Sequence, residues 1–252
     1  MSLAVIVLAH LFVITAADPS PALSVLIAQG DEAFQEIDYP ASRSAYEAAL
    51  QHAPESPALL WRLARVEVCT GDMQPRASRR LYYDAAERYA RAAVARDSTL
   101  AAAHTWLAAA LGNIAVFEGS ETKVRLSREI KEELDAALRL DPSDDVAWSI
   151  LGSFYRALGR ISWIERQLAN IFLGGIPSGG FEDAERALKT AIGLAPNVVR
   201  HHWELGLVYA ELGREEEARA EFTAVVNLPP TLGSDQRKKK RAAEWLSQAA
   251  GE

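Results

Sequence analysis

The sequence predicts an all-α solenoid of stacked helix pairs, and three features carry that prediction. The run Trp148-Ser149-Ile150-Leu151-Gly152-Ser153-Phe154-Tyr155 fits the pattern W-x2-L-G-x2-Y, and Leu205-Gly206-Leu207-Val208-Tyr209 repeats its second half. Pro230 follows Pro196 by 34 residues, the length of one helix–turn–helix repeat. No segment alternates apolar and polar residues with the period of two that a half-buried strand requires.

The eight-residue pattern is the first-helix signature of a tetratricopeptide repeat. The expected fold is therefore a tetratricopeptide-like helical-repeat solenoid of about five helix pairs. The units fall near residues 23–54, 58–97, 99–142, 145–196 and 199–230, within one domain over 18–252. In the first unit Gly30, Tyr46, Ala49 and Pro54 stand at fitting offsets. A small residue in the first helix lets the second approach closely, and proline opens the turn into the next unit, where a backbone donor is dispensable.

The spacing is irregular in two places. Pro142 follows Pro54 by 88 residues, 20 more than two repeats, and the excess divides between 73–82 and 118–126, where helices are lengthened. Pro196 follows Pro142 by 54 residues, again 20 in excess, and this surplus fits an insertion over 161–180. Residues 234–250 form a polar last helix suited to cap the exposed apolar end.

The N-terminus reads separately. Residues 3–17 are LAVIVLAHLFVITAA, with no charge. The run has the length of a signal-peptide apolar region and is short for a membrane span, and small residues precede Asp18. The expectation is a signal peptide over 1–17 and export to a periplasm. The alternative is a membrane anchor.

Bulk composition narrows function. Net charge is −7, which argues against a nucleic-acid-binding surface. Cys69 is the only cysteine, so no intramolecular disulfide or thiolate zinc site forms, and its apolar helical setting suits a small buried hydrophobe. His201 and His202 are adjacent and point about 100° apart on a helix, while His52 and His104 lack a partner at i+4. No metal site or cofactor is expected. Gly174-Gly175 and Gly179-Gly180 bracket Ile176-Pro177-Ser178 without the Lys-Ser or Lys-Thr of a phosphate loop, and no G-x-S-x-G elbow occurs. The chain is expected not to be an enzyme.

In such solenoids the first helix of each pair lines the inner face. Trp61, Trp106 and Trp203 each stand two residues before Leu63, Ala108 and Leu205, one position past the slot of Trp148. That offset turns them toward the groove, and Arg65 and Arg156 join the same face by helical spacing. Tryptophan and arginine are enriched at binding hot spots. The competing reading is that the tryptophans are core, covered by neighbouring repeats or by the inserted helix 163–172, with Trp163, Arg166 and Phe172 as its contacts. Arg237-Lys238-Lys239-Lys240-Arg241 is the one strong basic run, either a solvated cap or a patch for anionic lipid or an acidic partner.

Several blocks also resemble the regulators of microtubule dynamics. They are Leu60-Trp61-Arg62-Leu63-Ala64-Arg65, Tyr89-Ala90-Arg91-Ala92 with His104-Thr105-Trp106, and Gly119-Ser120-Glu121-Thr122-Lys123. More distinctive is Ser162-Trp163-Ile164-Glu165-Arg166-Gln167-Leu168-Ala169 in the insertion, followed by Ile176-Pro177-Ser178. The resemblance runs from about residue 23 to 246. It implies a helical, non-enzymatic protein and supplies no catalytic residues. The chain looks like a bacterial relative, so the microtubule and organelle roles of eukaryotic members do not transfer automatically. Two functions follow as expectations: a scaffold that holds a protein or peptide in its groove, or a carrier or sensor of a lipid or other apolar ligand at a membrane surface.

Overall fold

The structure is a computed structural model that describes residues 21–172 and 175–249. The expected signal segment 1–17 lies outside the described residues. Twelve α-helices and no strand occur among those that are described. Five antiparallel pairs stack in order: α1 (Pro21–Gln35) with α2 (Tyr39–His52), α3 (Pro57–Met73) with α4 (Arg76–Arg96), and α5 (Ala101–Glu118) with α6 (Ser120–Leu140). Next come α7 (Asp145–Gly159) with α9 (Phe181–Leu194), and α10 (Val199–Glu211) with α11 (Glu215–Asn227). The short α8 (Trp163–Phe172) is inserted between α7 and α9, and α12 (Asp235–Gln248) packs on α10 and α11. The protein is a tetratricopeptide-like solenoid.

Each helix buries a stripe that its sequence spells out. In α9 the buried residues are Ala184, Ala187, Leu188 and Ala191, the spacing of one helical face. In α6 they include Leu126, Ile130, Leu134 and Ala137. Helix α5 is different: Ala103 to Leu111 are all buried, because α3, α4, α6 and α7 surround it. A helix apolar on every side belongs in the interior. Fully buried leucines such as Leu59, Leu63, Leu107 and Leu134 contribute about 1.5–3 kcal/mol each.

Close approach within a pair depends on glycine. The ring of Phe222 on α11 lies where a Cβ on Gly206 of α10 would stand, 2.7 Å from its Cε1. Tyr46 covers Gly30 and Leu188 covers Gly152 in the same way. Helices α3 to α6 run 17, 21, 18 and 21 residues, against 13 to 15 in the other paired helices, so the first length surplus extends two hairpins without adding an element. The second surplus makes α8. Asp144 caps α7 by accepting the Ala147 N–H at 2.8 Å.

Two large apolar clusters and one small one form the core. The first spans α2 to α7 and takes in Ala187 of α9, the second joins α9 to α12 through Trp203, Phe222 and Ala242, and the small one groups Leu60, Ala93 and Ala103. Tyr155 touches both large ones.

Candidate partner-binding face

The register of the first helices is read from one recurring hydrogen bond. Trp148 Nε1 donates to the Pro142 carbonyl, six residues earlier, at 2.9 Å. His104 Nε2 lies 3.0 Å from the Ser98 carbonyl and His202 Nε2 lies 2.8 Å from the Pro196 carbonyl, with the same offset. His104, Trp148 and His202 therefore occupy equivalent slots, and Leu60 takes the corresponding place after Pro54. Trp61 and Trp203 follow this slot by one residue, whereas Trp106 follows it by two. The expected equivalence of the three tryptophans thus fails for Trp106, which is turned about 100° further around its helix.

Burial corrects the groove assignment further. Trp106 is 8% exposed within the larger core cluster. Trp203 is 6% exposed, packed against Phe222 at 5.4 Å between ring centres and covered by the Arg241 guanidinium at 5.1 Å. Neither ring is open to a partner. Neighbouring helices and α12 claim this apolar area for folding.

Trp61 and Arg65 are brought together, half-buried, at the first two helix pairs. Arg62 and Arg65 both reach Asp31 of α1, at 3.1 and 3.2 Å. Tyr46 donates its hydroxyl to Asp31 at 2.6 Å and accepts from Arg65 at 2.9 Å. The Arg65 guanidinium lies 3.7 Å over Phe34, and Arg62 lies 4.5 Å over Trp61. Burial opposes the Asp31 charge, but hydrogen bonds from Arg62 and Tyr46 and the charges of both arginines outweigh it, so its pKa is lowered. Burial and the Asp31 bond push the Tyr46 hydroxyl up to about 12. The sequence reading missed Asp31, Phe34 and Arg62 as members; only their recurrence on the inner side of α1 and α3 would have marked them.

Arg156 stands apart from this cluster. It is 16% exposed and held by Glu204 at 3.0 Å and Glu211 at 2.7 Å, tying α7 to α10. An intramolecular carboxylate pair therefore takes its guanidinium.

The insertion does not act as a cover through Trp163. That residue is 73% exposed, and Ile164 and Ile171 are 64% and 70% exposed. Arg166 and Ala169 face inward instead; Arg166 donates to the Pro177 and Leu158 carbonyls at 3.1 and 3.2 Å, closing the 175–180 loop onto the end of α7. The Phe172 side chain lies outside the described residues.

The basic run is partly tied down by contacts within its own chain. Arg237 donates to the Asp72 carbonyl at 2.9 Å, Lys238 pairs with the buried Asp235 at 3.0 Å, and Lys239 reaches the Leu228 carbonyl. Arg241 stacks on Trp203. Arg237, Lys240 and Arg241 nonetheless stay exposed, and Lys240 projects furthest, 80% exposed and 4.0 Å from Glu244.

The titratable groups show pairing. His104 faces Glu133, His201 faces Asp145 and His202 faces Glu221. No cluster of three metal-binding side chains occurs among the described residues. Cys69 is buried, and desolvation pushes its thiol up to about 12, which leaves no nucleophile at neutral pH. A cavity of about 370 Å³ lies between α6 and the 175–177 loop, lined by Arg128, Lys131, Glu132, Gly175, Ile176 and Pro177. Among the described residues no helix is long and apolar enough to cross a membrane.

Comparison with known proteins agrees with this architecture. Residues 26–250 match the family model described as regulator of microtubule dynamics protein 1-3. Regulator of microtubule dynamics protein 1 of Mus musculus is 25% identical over 227 residues, covering 88% of this chain and 73% of the relative. The Bos taurus protein of the same name is 26% identical over 196 residues, and the match spans 62% of its length. Among solved structures, a thermophilic TPR protein of Thermus thermophilus aligns with a TM-score of 0.65 at 22% identity, over 89% of this chain and 99% of that one. That likeness concerns the fold alone.

Proposed function

The chain belongs to the regulator of microtubule dynamics protein family, and from that premise we propose that it is a non-catalytic scaffold for a protein or peptide partner. The observation that carries the reading is the Trp61–Arg62–Arg65 cluster around Asp31. There tryptophan and arginine side chains stay part-exposed on an inner helix face, already held in place by hydrogen bonds and ring stacking. Preorganised arginine and tryptophan give affinity at low entropic cost. A partner segment with a carboxylate and an apolar side chain complements this surface. We place the protein outside the cytoplasm, on the uncharged apolar run at 3–17.

Affinity purification of the full chain from its native cells, with and without Trp61→Ala/Arg65→Ala, tests the scaffold. Partners captured by the parent are expected to be lost in the folded double variant. Unchanged capture by that variant removes this cluster as the binding face. Sequencing the N-terminus of the mature protein tests the location; an intact residue 1 overturns cleavage.

A further inference from the structure

The solenoid is closed by its own C-terminus, and the closing contacts have the form of a recognition site. Leu232 packs against the core cluster built by α2 to α7, although it follows α11, the last paired helix. The Gly233 N–H donates at 2.9 Å to the hydroxyl of Tyr39, the first residue of α2. Gly233 also lies flat against the Met73 thioether at the end of α3. Arg237 donates at 2.9 Å to the carbonyl of Asp72, in the last turn of α3. Helix C-termini leave carbonyls without intrahelical donors and carry partial negative charge, so a guanidinium is well matched there.

The approaching segment is itself preorganised. Asp235, fully buried, accepts the backbone N–H groups of Thr231 at 3.0 Å and Leu232 at 2.9 Å, and its other oxygen takes Lys238. This carboxylate fixes the turn from which Leu232 and Gly233 project and starts α12 at the same point. Arg241 on Trp203 and Lys239 on the end of α11 hold the other side of the helix to the last pair. The basic run thus has one cation on the first half of the solenoid and two on the last pair.

We propose that residues 228–248 are a built-in occupant of an acceptor site formed by Tyr39, Asp72 and Met73, and that this site accepts a partner segment of the same chemistry: a leucine–glycine turn leading into a basic helix. The segment latches the last helix pair to the first two while no such partner is present. A competing segment displaces it, opens the ring and frees both ends of the solenoid. Tyr39 adjoins the Trp61–Arg65 cluster through Phe34, at 5.3 Å between ring centres, but Asp72, Met73 and Arg237 make no contact with Trp61 or Arg65, so a variant at Arg237 keeps the failure of this proposal distinguishable from that of the scaffold reading.

The test uses the full chain, its Arg237→Glu variant and a fluorescent synthetic peptide of residues 228–248. Loss of one charge-assisted hydrogen bond shifts a local opening equilibrium by roughly tenfold. The variant is expected to exchange the Gly233 amide about tenfold faster than the parent, with α3 to α7 still protected, and to bind the peptide about tenfold more tightly. Tyr39→Phe, which removes the acceptor from the receiving side, is expected to weaken peptide binding in the Arg237→Glu background. Equal peptide binding by parent and variant overturns the proposal, as does unchanged exchange at Gly233. Should Arg237→Glu lose protection throughout, the same comparison is made with Arg237→Ala, and failure of that variant to bind the peptide more tightly than the parent overturns the proposal as well.

Discussion

The hydroxyl of Tyr39 and the backbone N–H of Gly233 meet at 2.9 Å across 194 residues of chain. The bond joins the second helix to the segment that follows the last pair, so it reports whether the solenoid is closed. Tyr39 is 2% exposed. Tyr39→Phe keeps the ring packing and removes the acceptor, at a cost of about 1–2 kcal/mol. The urea midpoint should fall while helix content stays the same; an unchanged midpoint would mean that the contact contributes nothing to stability.

Glycines in two first helices should respond oppositely to alanine. Gly206→Ala drives a methyl into the Phe222 ring and is expected to destabilise by about 1–3 kcal/mol. Gly112 in α5 has open space where a Cβ would go, so Gly112→Ala should stabilise by about 0.4–1 kcal/mol through the unfolded state. Thermal melts of the two variants check the pair.

His202 makes stability depend on pH. Burial disfavours its charged form, but Glu221 at 2.7 Å and the Pro196 carbonyl at 2.8 Å outweigh burial and raise its pKa above 6.5. A raised folded-state value means that the contribution is complete below 6.5 and is lost as pH climbs through the folded pKa. Melting temperature should therefore decline across that window, and Glu221→Gln should flatten the decline. A Glu221→Gln profile parallel to the parent's would assign the slope to other groups.

Cys69 should be silent toward thiol reagents in the native protein. Burial pushes its thiol up to about 12, beside Tyr39 and near Arg200 of α10. Ellman's reagent is expected to titrate one thiol in denaturant and none at neutral pH without it. Rapid native labelling would show that the Tyr39 region opens readily.

Much of the fold was legible because its determinants are local. Gly30, Gly152 and Gly206 mark where a partner helix packs close, and the proline spacing marks where each unit turns. The spans of α7, α10 and α11 follow from a 3.6-residue period and a small residue at a fixed offset, both visible in a window of a dozen residues. The candidate site was legible only in part. Trp61 and Arg65 do lie together, but Trp106 sits one residue out of the inferred register, and a single residue turns a helical side chain by about 100°. Burial of Trp203 depends on Phe222 and Arg241, and nothing within α10 announces either.

The chain by itself determined the helix pairs, the place of the insertion and the family, because these rest on short-range pattern. Tertiary structure alone decided that Trp163, Ile164 and Ile171 of α8 point outward, that Arg156 is taken by Glu204 and Glu211, and that the basic run secures the C-terminal segment. Those outcomes depend on which groups meet across 48 to 194 residues of sequence. Such meetings follow from the curvature of the stacked pairs, which sums small rotations over the whole solenoid and leaves no trace in any one repeat.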